Sequence, residues 1–438
     1  MKRIREILLV SVVLLFSSVF VFGQQQEKRS SSPNVLFILV DDMGWSDASC
    51  YGRQVWDTPN IDRLAEQGCR FTSAYAQPLC SPTRSSLLTG KHSTRLGITD
   101  WIPGFPNSES SNLKFVEQKK KVDLEEYTLA EAFRDEGYST GIIGKWHIGN
   151  HPSQQGFDTV IQYSATNGCK RFDEDGRFMT DRKGDAAIKF LEDNKNKPFF
   201  LYLAFNAVHI PLGASEEKIS KHQDAPNPTY AAMIEHVDDN VGRVIAELDK
   251  LGLKDNTIVV FYSDNGGVTR CKFEPTIHTL NFPLRGNKGC LYEGGVRVPM
   301  IMRYPKLIEK GSVSDVLVGS MDFYPTLLSM CGIEIKNEID GISFAETFRT
   351  NTTVRNQLCW HFPHYSRHVM GFPSGAIRLG EWKLVEWFED GKLELYNLKE
   401  DLGEQNNIAD HFPEKTSELK KELDKWRKDT GAKIPERK

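Results

Sequence analysis

The sequence predicts an α/β domain with a large mixed, mostly parallel sheet sandwiched by helices, followed by a smaller α+β domain with an antiparallel sheet. Three observations support this prediction. Short apolar runs such as 35–40 and 257–262 are rich in β-branched and aromatic residues, as strands buried on both faces are. Amphipathic stretches of helical period alternate with these runs, as in parallel sheets. Toward the C-terminus, apolar and polar residues alternate instead, which is typical of an antiparallel sheet.

The elements of the large domain follow in order. Strands are predicted at 35–40, 139–143, 199–205, 257–262 and 298–302. Helices are predicted at 61–67, 129–136, 185–194 and 230–251. Because ligands bind beyond the carboxyl ends of parallel strands, the functional residues are expected where these strands end.

The C-terminal elements have a different character. Residues 376–387 alternate between apolar and polar, Glu389-Asp390-Gly391 provides a turn, and 392–398 forms a second strand. A charged amphipathic stretch, 413–428, closes the chain as a helix. We therefore predict a large domain over 24–350 and a C-terminal α+β subdomain over 351–438.

The N-terminus has the pattern of an export signal. Lys2, Arg3 and Arg5 precede an apolar run over 7–22 that is broken only by serines. This predicts a signal peptide over 1–23 and a secreted or periplasmic protein. An uncleaved membrane anchor is the alternative, but no stop-transfer flank follows the run, so no membrane association is expected after cleavage.

Charge and cysteine spacing exclude several classes of function. The 438-residue chain has a formal net charge of -4, so the basic surface of a nucleic-acid-binding protein is not expected. Its eight cysteines are scattered and include no Cys-x-x-Cys pair, which argues against zinc knuckles and thioredoxin-like sites. In an oxidising compartment some of them can form disulfides, but their pairing stays open.

Two acidic pairs predict a metal site. Asp41-Asp42 follows the first strand, and Asp264-Asn265 follows the strand at 257–262. Each pair alone is more often a turn or a helix cap. Two pairs at the same edge of one sheet favour a metal, and their hard oxygen donors suit Ca²⁺ or Mg²⁺.

Cys80 stands in an unusual context. The segment 80–84 reads Cys-Ser-Pro-Thr-Arg; Ser81 is a good N-cap and Pro82 a good first helical residue. Cys80 would then precede a helix N-terminus, whose free N–H groups favour an anion. By itself, Cys80 would be interpreted as a buried or disulfide-bonded cysteine.

Six motifs in order change that interpretation. They are Asp41-Asp42, Cys80 to Arg84, Gly144 to His147, His209, Ser263 to Gly266, and Gly286 to Gly289. In this set and order the chain resembles the type I formylglycine-dependent sulfatases, the arylsulfatase family of the alkaline-phosphatase-like superfamily. The segment 392–408 is similar to bacterial glycan-degrading sulfatases in particular, among which sulfates of galactose or N-acetylgalactosamine are common targets.

The resemblance implies the roles of individual residues. A formylglycine-generating or radical sulfatase-maturing enzyme would oxidise Cys80 to formylglycine, whose hydrate attacks sulfur and later releases sulfate. One Ca²⁺ would be held by the oxygen-bearing side chains and the matured residue, namely Asp41, Asp42, Asp264, Asn265 and Cys80. The remaining residues would orient the nucleophile (Arg84), hold the sulfate (Lys145 and Lys288), act as base (His147) and act as acid (His209).

The leaving group of the ester is expected to be a carbohydrate, held by residues outside the sulfate pocket. The candidates are Asp100, Trp101, Arg285, Trp360, His361, His364 and Tyr365. The cluster over 360–365 suits either a sugar ring or a domain interface. Two alternative functions stay open from the residues alone: a phosphate monoester or diester hydrolase of the same superfamily, and a non-catalytic binder of sulfated glycans if Cys80 is never matured.

Overall fold

A computed structural model of the protein describes residues 32–52, 55–104, 106, 109, 111–162, 172, 176–269, 281–350 and 352–438. The predicted signal peptide, Cys169 and Cys271 lie outside these ranges. In the described part of the chain, no helix has both the length and the apolar character needed to cross a membrane.

The large sheet has eight strands in the order β5-β4-β6-β1-β7-β8-β2-β9. In chain order these strands are β1 (Asn34–Val40), β2 (Cys69–Phe71), β4 (Ser139–Gly144), β5 (Thr159–Ile161), β6 (Phe199–Ala204), β7 (Thr257–Ser263), β8 (Met300–Arg303) and β9 (Ser312–Ser314). Only β8 runs against its neighbours β7 and β2. A short pair, β3 (Ala74–Tyr75) with β10 (Val318–Gly319), lies outside this sheet. The predicted mixed, mostly parallel sheet is confirmed.

Helices cover both faces of the sheet. They are α1 (Pro59–Gln67), α2 (Cys80–Thr89), α3 (Leu129–Asp135), α4 (Met179–Asn194), α5 (Glu216–Lys221), α6 (Pro228–Lys250), α7 (Glu293–Val296), α8 (Phe323–Met330), α9 (Thr347–Thr350) and α10 (Pro413–Thr430). The start of α3 is fixed by a capping box between Thr128 and Glu131. The long α6 starts at an Asn227 cap followed by Pro228, which has no N–H to lose in the first turn.

The continuous apolar run of β1 is explained by burial on both faces. Val35, Phe37 and Leu39 belong to one core cluster, whereas Leu36 and Ile38 belong to another on the opposite face. All of them are fully buried. A strand with only one buried face would alternate with polar residues, so this run indicates a central strand.

The C-terminal region forms a four-stranded antiparallel sheet, in the order β11 (Gln357–Phe362), β12 (Ser374–Leu379), β13 (Trp382–Trp387) and β14 (Leu393–Asn397). The prediction of one continuous strand over 376–387 is wrong. Gly380, with φ of 58°, takes the left-handed conformation that allows a tight turn, so this stretch becomes two paired strands. The predicted turn at Gly391 joins β13 to β14 as expected.

No disulfide forms among the six cysteines within the described ranges. These free cysteines are Cys50, Cys69, Cys80, Cys290, Cys331 and Cys359. Burial raises the pKa of several of these thiols, including Cys290 to about 11 and Cys359 to about 12. Cys80 therefore has no disulfide partner among them and is available for other chemistry.

Candidate active site

The site lies where four neighbouring parallel strands end at one edge of the sheet. Asp41 follows β1, Lys145 follows β4, and Asp264 follows β7. Backbone hydrogen bonds continue the sheet pairing into these loops: the N–H of Lys145 donates to Ala204 O at 2.9 Å and that of Asp264 to Val40 O at 3.1 Å. Gly144 is required at the bend, because a Cβ there would lie 1.9 Å from the carbonyl oxygen of Ala204.

Four oxygen-bearing side chains line the floor of the site, and all are buried: Asp41, Asp42, Asp264 and Asn265. Asp264 accepts the backbone N–H of Asp42 at 3.2 Å. The Asn265 side chain donates to Asp42 Oδ1 at 2.8 Å. Three buried oxygens have no hydrogen-bond partner, namely Asp41 Oδ1, Asp42 Oδ2 and Asn265 Oδ1.

Two lysines neutralise the acids. Lys145 Nζ lies 2.6 Å from Asp41 Oδ2, and Lys288 Nζ lies 2.6 Å from Asp42 Oδ1. Burial opposes the charge on Asp41, but Lys145, His209 and Arg84 together outweigh it and hold the pKa of this carboxyl well below its ordinary range. Each lysine occupies one oxygen of its carboxylate. The other oxygen has no hydrogen bond: Arg84 Nη2 lies 3.9 Å from that oxygen of Asp41, and His209 Nε2 lies 3.7 Å from that of Asp42.

This donor set fits a hard divalent cation. Unpaired buried oxygens are costly unless something satisfies them. Two groups of side chains have potential ligand atoms within 4.8 Å of one another: Asp41, Asp42 and His209, and Asp41, Cys80 and Asp264. Carboxylate and amide oxygens are the ligands that calcium and magnesium prefer.

Arg84 holds the side chain of Asp264 and the loop of Lys145 in place. Its Nε and Nη2 both donate to Asp264 Oδ2, at 2.9 and 2.8 Å, and Nη1 donates to the carbonyl oxygen of Lys145 at 2.7 Å. The guanidinium group is fully buried. Arg84 therefore joins the loops that follow β4 and β7, and it fixes the orientation of one acidic side chain.

Cys80 lies in the first turn of α2. The prediction that Ser81 caps this helix is wrong: Leu79 takes the N-cap position without a side-chain hydrogen bond. The Ser81 hydroxyl oxygen is occupied elsewhere, accepting the backbone N–H of Ile102 at 3.0 Å. Cys80 nevertheless lies at the helix N-terminus, among N–H groups that have no partner within the helix.

The Cys80 thiol faces His147. The Cys80 Sγ lies 3.2 Å from His147 Nδ1, and His147 Nε2 lies 2.7 Å from the carbonyl oxygen of Ile102. Since that carbonyl only accepts, Nε2 carries the proton and Nδ1 is the free acceptor. Burial raises the pKa of the Cys80 thiol, against the opposing effect of Lys145, so the unmodified side chain is a poor nucleophile.

Two histidines lie half-buried at the mouth of the site. Burial and the charge of Lys145 hold the pKa of His147 well below its ordinary value. Burial and Lys288 lower that of His209 to about 4, even though His209 Nε2 lies 3.7 Å from Asp42 Oδ2. In this arrangement the His147 ring is neutral near pH 7 and can accept a proton, whereas the Asp42 carboxylate beside His209 is the group that favours a proton on that ring.

Some of the predicted carbohydrate-binding residues are not brought to this pocket. His361 is buried and its Nε2 bonds to the carbonyl oxygen of Lys433 at 2.9 Å. His364 is fully buried against Thr99, with 2.8 Å between Nε2 and Oγ1. Arg285 stacks on the Tyr292 ring at 4.0 Å and donates to the carbonyl oxygen of Glu404. All three have structural contacts, and of these only Arg285 stays half-exposed.

Of three other candidates for carbohydrate binding, one lies beside the site and two have structural contacts. Trp101 lies beside the site, with its ring centroid 6.2 Å from that of His147. Asp100 is buried and accepts the backbone N–H of Trp101 at 2.8 Å, so it shapes this loop. Trp360 is buried and donates to the carbonyl oxygen of Ala76 at 2.9 Å, which places it between the C-terminal sheet and the short β3–β10 pair.

His368 was missed by the sequence reasoning. It belongs to the 363–373 connection between β11 and β12, where no motif marks it. Gly289, next to Lys288, lies against this connection: a Cβ there would come within 2.6 Å of Ser366 Oγ and 3.4 Å of the His368 ring. Burial lowers the pKa of His368 to about 3, and the positive charge of Lys288 acts in the same direction. The C-terminal region thus contributes a neutral imidazole to the edge of the pocket.

Comparison with known proteins agrees with this geometry. Residues 33–333 match the Sulfatase family, and residues 286–429 match the family described as N-sulphoglucosamine sulphohydrolase, C-terminal. A sulfatase of Formosa agariphila is 32% identical over 94% of this chain and 90% of its own. The N-acetylgalactosamine-6-sulfatase of Rattus norvegicus is 29% identical over 88% of this chain and 78% of its own.

Solved structures share the fold. The structure of BT4656 in complex with its substrate D-glucosamine-2-N,6-O-disulfate has a TM-score of 0.72 and 26% identity, and the alignment covers 92% of this chain and 99% of that one. Ps i-CgsB in complex with k-i-k-neocarrahexaose has a TM-score of 0.77 and 28% identity, over 90% and 92% of the two chains.

Proposed function

The chain is a sulfuric ester hydrolase that belongs to the sulfatase family, and from that premise we propose that it removes sulfate from a sulfated carbohydrate through a formylglycine made from Cys80. The observation that carries the proposal is the position of Cys80. Its Sγ lies within 4.8 Å of ligand atoms on Asp41 and Asp264, at a helix N-terminus and 3.2 Å from a neutral histidine.

A carbohydrate substrate is supported by the relatives. One relative is an N-acetylgalactosamine-6-sulfatase, and one similar structure holds a sulfated glucosamine. The half-buried Trp101 beside His147 supplies an aromatic face next to the site, which suits the apolar face of a sugar ring. We infer that an O-sulfated galactose or N-acetylgalactosamine is the first substrate to test.

Asp41, Asp42, Asp264 and Asn265 would hold one Ca²⁺, together with the matured side chain at position 80. The three unpaired oxygens on this floor support that assignment. When bound, the ion would polarise the sulfate group and stabilise its developing charge.

Cys80 is the precursor in this proposal. A formylglycine-generating or radical sulfatase-maturing enzyme is the required partner, and it acts on the chain before Cys80 is buried. The hydrate of the matured aldehyde would supply two hydroxyl groups, one as the nucleophile for sulfur and one whose deprotonation would regenerate the aldehyde as sulfate leaves. The raised pKa of the unmodified thiol supports the need for this conversion.

The side chains around Cys80 would bind the sulfate, orient the nucleophile and transfer protons. Lys145 and Lys288 bring two positive charges to the floor and would bind the sulfate oxygens. Arg84 would keep the nucleophile and Asp264 oriented. His147, whose Nδ1 is free to accept, would act as base when sulfate is eliminated, and His209 would protonate the leaving oxygen. Export by the predicted signal peptide would place the enzyme in the periplasm or outside the cell.

The proposal is tested by mass spectrometry of the peptide that contains Cys80, purified from the native host or after co-expression with a maturing enzyme. We expect an aldehyde at position 80 and release of inorganic sulfate from sulfated galactose or N-acetylgalactosamine. An intact thiol in active protein contradicts the mechanism. The Cys80→Ala variant should lose turnover and unfold at the same temperature as the unmodified protein. The control is Cys331→Ala, which removes a free cysteine that has no part in the proposed mechanism and should leave the enzyme active.

A further inference from the structure

A cavity of about 300 Å³ opens between the C-terminal sheet and the segment that follows Lys288. Its apolar wall is formed by Tyr292, Met370, Phe372 and Trp387. The Phe372 side chain is 47% exposed, and its ring centroid lies 6.4 Å from that of the half-buried Trp387. Large exposed aromatic side chains beside a cavity are typical of a binding surface.

The loop that lines the cavity packs on the segment that carries Lys288: the Asn287 side chain donates to the carbonyl oxygen of Val369 at 2.7 Å, and a Cβ at Gly371 would lie 2.9 Å from the carbonyl oxygen of Gly289. Trp101, which lies against His147, packs on the same core cluster as Met370 and Trp387. The segment that carries Met370 and Phe372 also carries His368 over Gly289, the neighbour of Lys288. The cavity therefore adjoins the loop of Lys288, and Trp101 beside His147 packs on the same hydrophobic cluster as two of the cavity's side chains.

The polar wall determines which ligand suits the cavity. It is formed by Glu389, Asp390, Lys392 and Glu394. Lys392 Nζ lies 2.7 Å from Glu394 Oε1, so these two charges compensate each other. Glu389 and Asp390 form no ion pair within the described ranges. Glu389 Oε1 accepts the Tyr365 hydroxyl at 2.5 Å and the Asn112 side chain at 3.1 Å, and Asp390 Oδ1 accepts the backbone N–H of Lys392 at 2.9 Å. The second oxygen of each carboxylate has no hydrogen bond within these ranges. Carboxylates beside aromatic rings accept hydroxyl groups and repel anions.

We propose that this cavity, bounded by Phe372, Trp387, Glu389 and Asp390, is a second saccharide subsite that binds an uncharged sugar ring linked to the sulfated ring. The inference rests on the proposed function and extends it from a single sulfated sugar to an oligosaccharide. The apolar face of the ring lies on Phe372 and Trp387, and its hydroxyls donate to the carboxylates. A neighbouring ring that carries sulfate or a uronic acid carboxylate is disfavoured, because it meets like charge.

The test compares three probes on the matured enzyme: a sulfated galactose, the same sugar linked to an uncharged galactose, and the same sugar linked to glucuronate. We expect kcat/KM for the uncharged disaccharide to exceed that of both other probes roughly tenfold. Phe372→Ala should lower the ratio of uncharged disaccharide to monosaccharide about three- to tenfold, the range that loss of one aromatic contact gives.

Phe412→Ala is the matched control. Phe412 is 46% exposed and packs on Trp382 with ring centroids 5.3 Å apart. Trp382 belongs to a different core cluster from Trp387 and Met370, so Phe412 lies away from the cavity. This variant should leave the ratio unchanged. Equal kcat/KM on the three probes, or an equal effect of both phenylalanine variants, overturns the subsite while the sulfatase proposal stands. No sulfate release from any probe or from the wider panel of sulfated sugars overturns both.

Discussion

Three oxygen atoms, one each on Asp41, Asp42 and Asn265, define the chemistry of the site at the scale of single residues. They are buried and have no hydrogen-bond partner, while the second oxygen of each aspartate is held by a lysine. A protein retains such unpaired oxygens only where something else completes their contacts. A bound cation would do so, and it would also offset the repulsion between the neighbouring acids.

Calcium should therefore stabilise the chelator-treated protein. A ligand that binds only the folded state at about 100 times its Kd adds about 2.7 kcal/mol to the free energy of unfolding. We expect the melting temperature to rise with added Ca²⁺ and Asp41→Asn to lose most of that rise. Thermal unfolding monitored by circular dichroism measures it. Asp340→Asn, which removes a carboxylate paired with Arg95, is the control and should keep the rise.

His368 gives a second prediction at this scale. Its ring forms no side-chain hydrogen bond within the described ranges, and it lies over Gly289 at the edge of the pocket. A neutral imidazole there can bind a sugar hydroxyl. His368→Ala should raise KM for the sulfated sugar several-fold with kcat within about twofold, since one neutral hydrogen bond contributes about 1 kcal/mol. His368→Gln should recover part of the loss; a fall in kcat alone would contradict this role.

At the scale of elements, the C-terminal sheet supports the loop that carries Lys288. Glu293, at the start of α7, is buried 2.7 Å from Lys383 Nζ of β13, and Glu404 Oε1 lies 3.0 Å from the same nitrogen. All three side chains are fully buried. Because Glu293 comes five residues after Lys288, this ionic cluster joins the small sheet to the sulfate pocket.

Removal of the shared lysine should be costly. Lys383→Met leaves the buried Glu404 without a counter-ion and Glu293 with Arg297 alone, at 3.1 Å. Loss of one partner from a buried pair typically costs about 3–5 kcal/mol. We expect the free energy of unfolding in urea to fall by this order and kcat/KM to fall with it. The control is Lys399→Met, which removes a lysine whose ion pair with Glu381, at 3.6 Å, is exposed to solvent. This variant should change neither the free energy of unfolding nor kcat/KM measurably.

At the scale of the whole molecule, the sequence predicted what depends on local pattern and missed what depends on distant contacts. The sequence predicted the buried strands β1 and β7 and the acidic residues that follow them. A strand buried on both faces is recognised from a run of consecutive apolar residues. The turn at Gly380 was not predicted, since one glycine within an alternating stretch is compatible with either one strand or two. The sequence also could not predict that His368 approaches Gly289, because the two residues are 79 positions apart and come together only in the packed fold.

The packing of the C-terminal region also predicts how the whole fold responds to acid. His92 follows α2 and accepts the indole N–H of Trp426 in α10 at 3.2 Å, and burial lowers its pKa to about 4. His361 and His364, also buried, have pKa values near 3. An unfolded chain titrates these rings near pH 6.5, so between about pH 6.5 and 4 it binds more protons than the folded chain. The free energy of unfolding should therefore fall as the pH falls through this window. His92→Gln should make urea unfolding less dependent on pH there, whereas His411→Gln, at an exposed histidine, should leave the dependence intact; identical pH profiles for both variants would refute this origin of acid sensitivity.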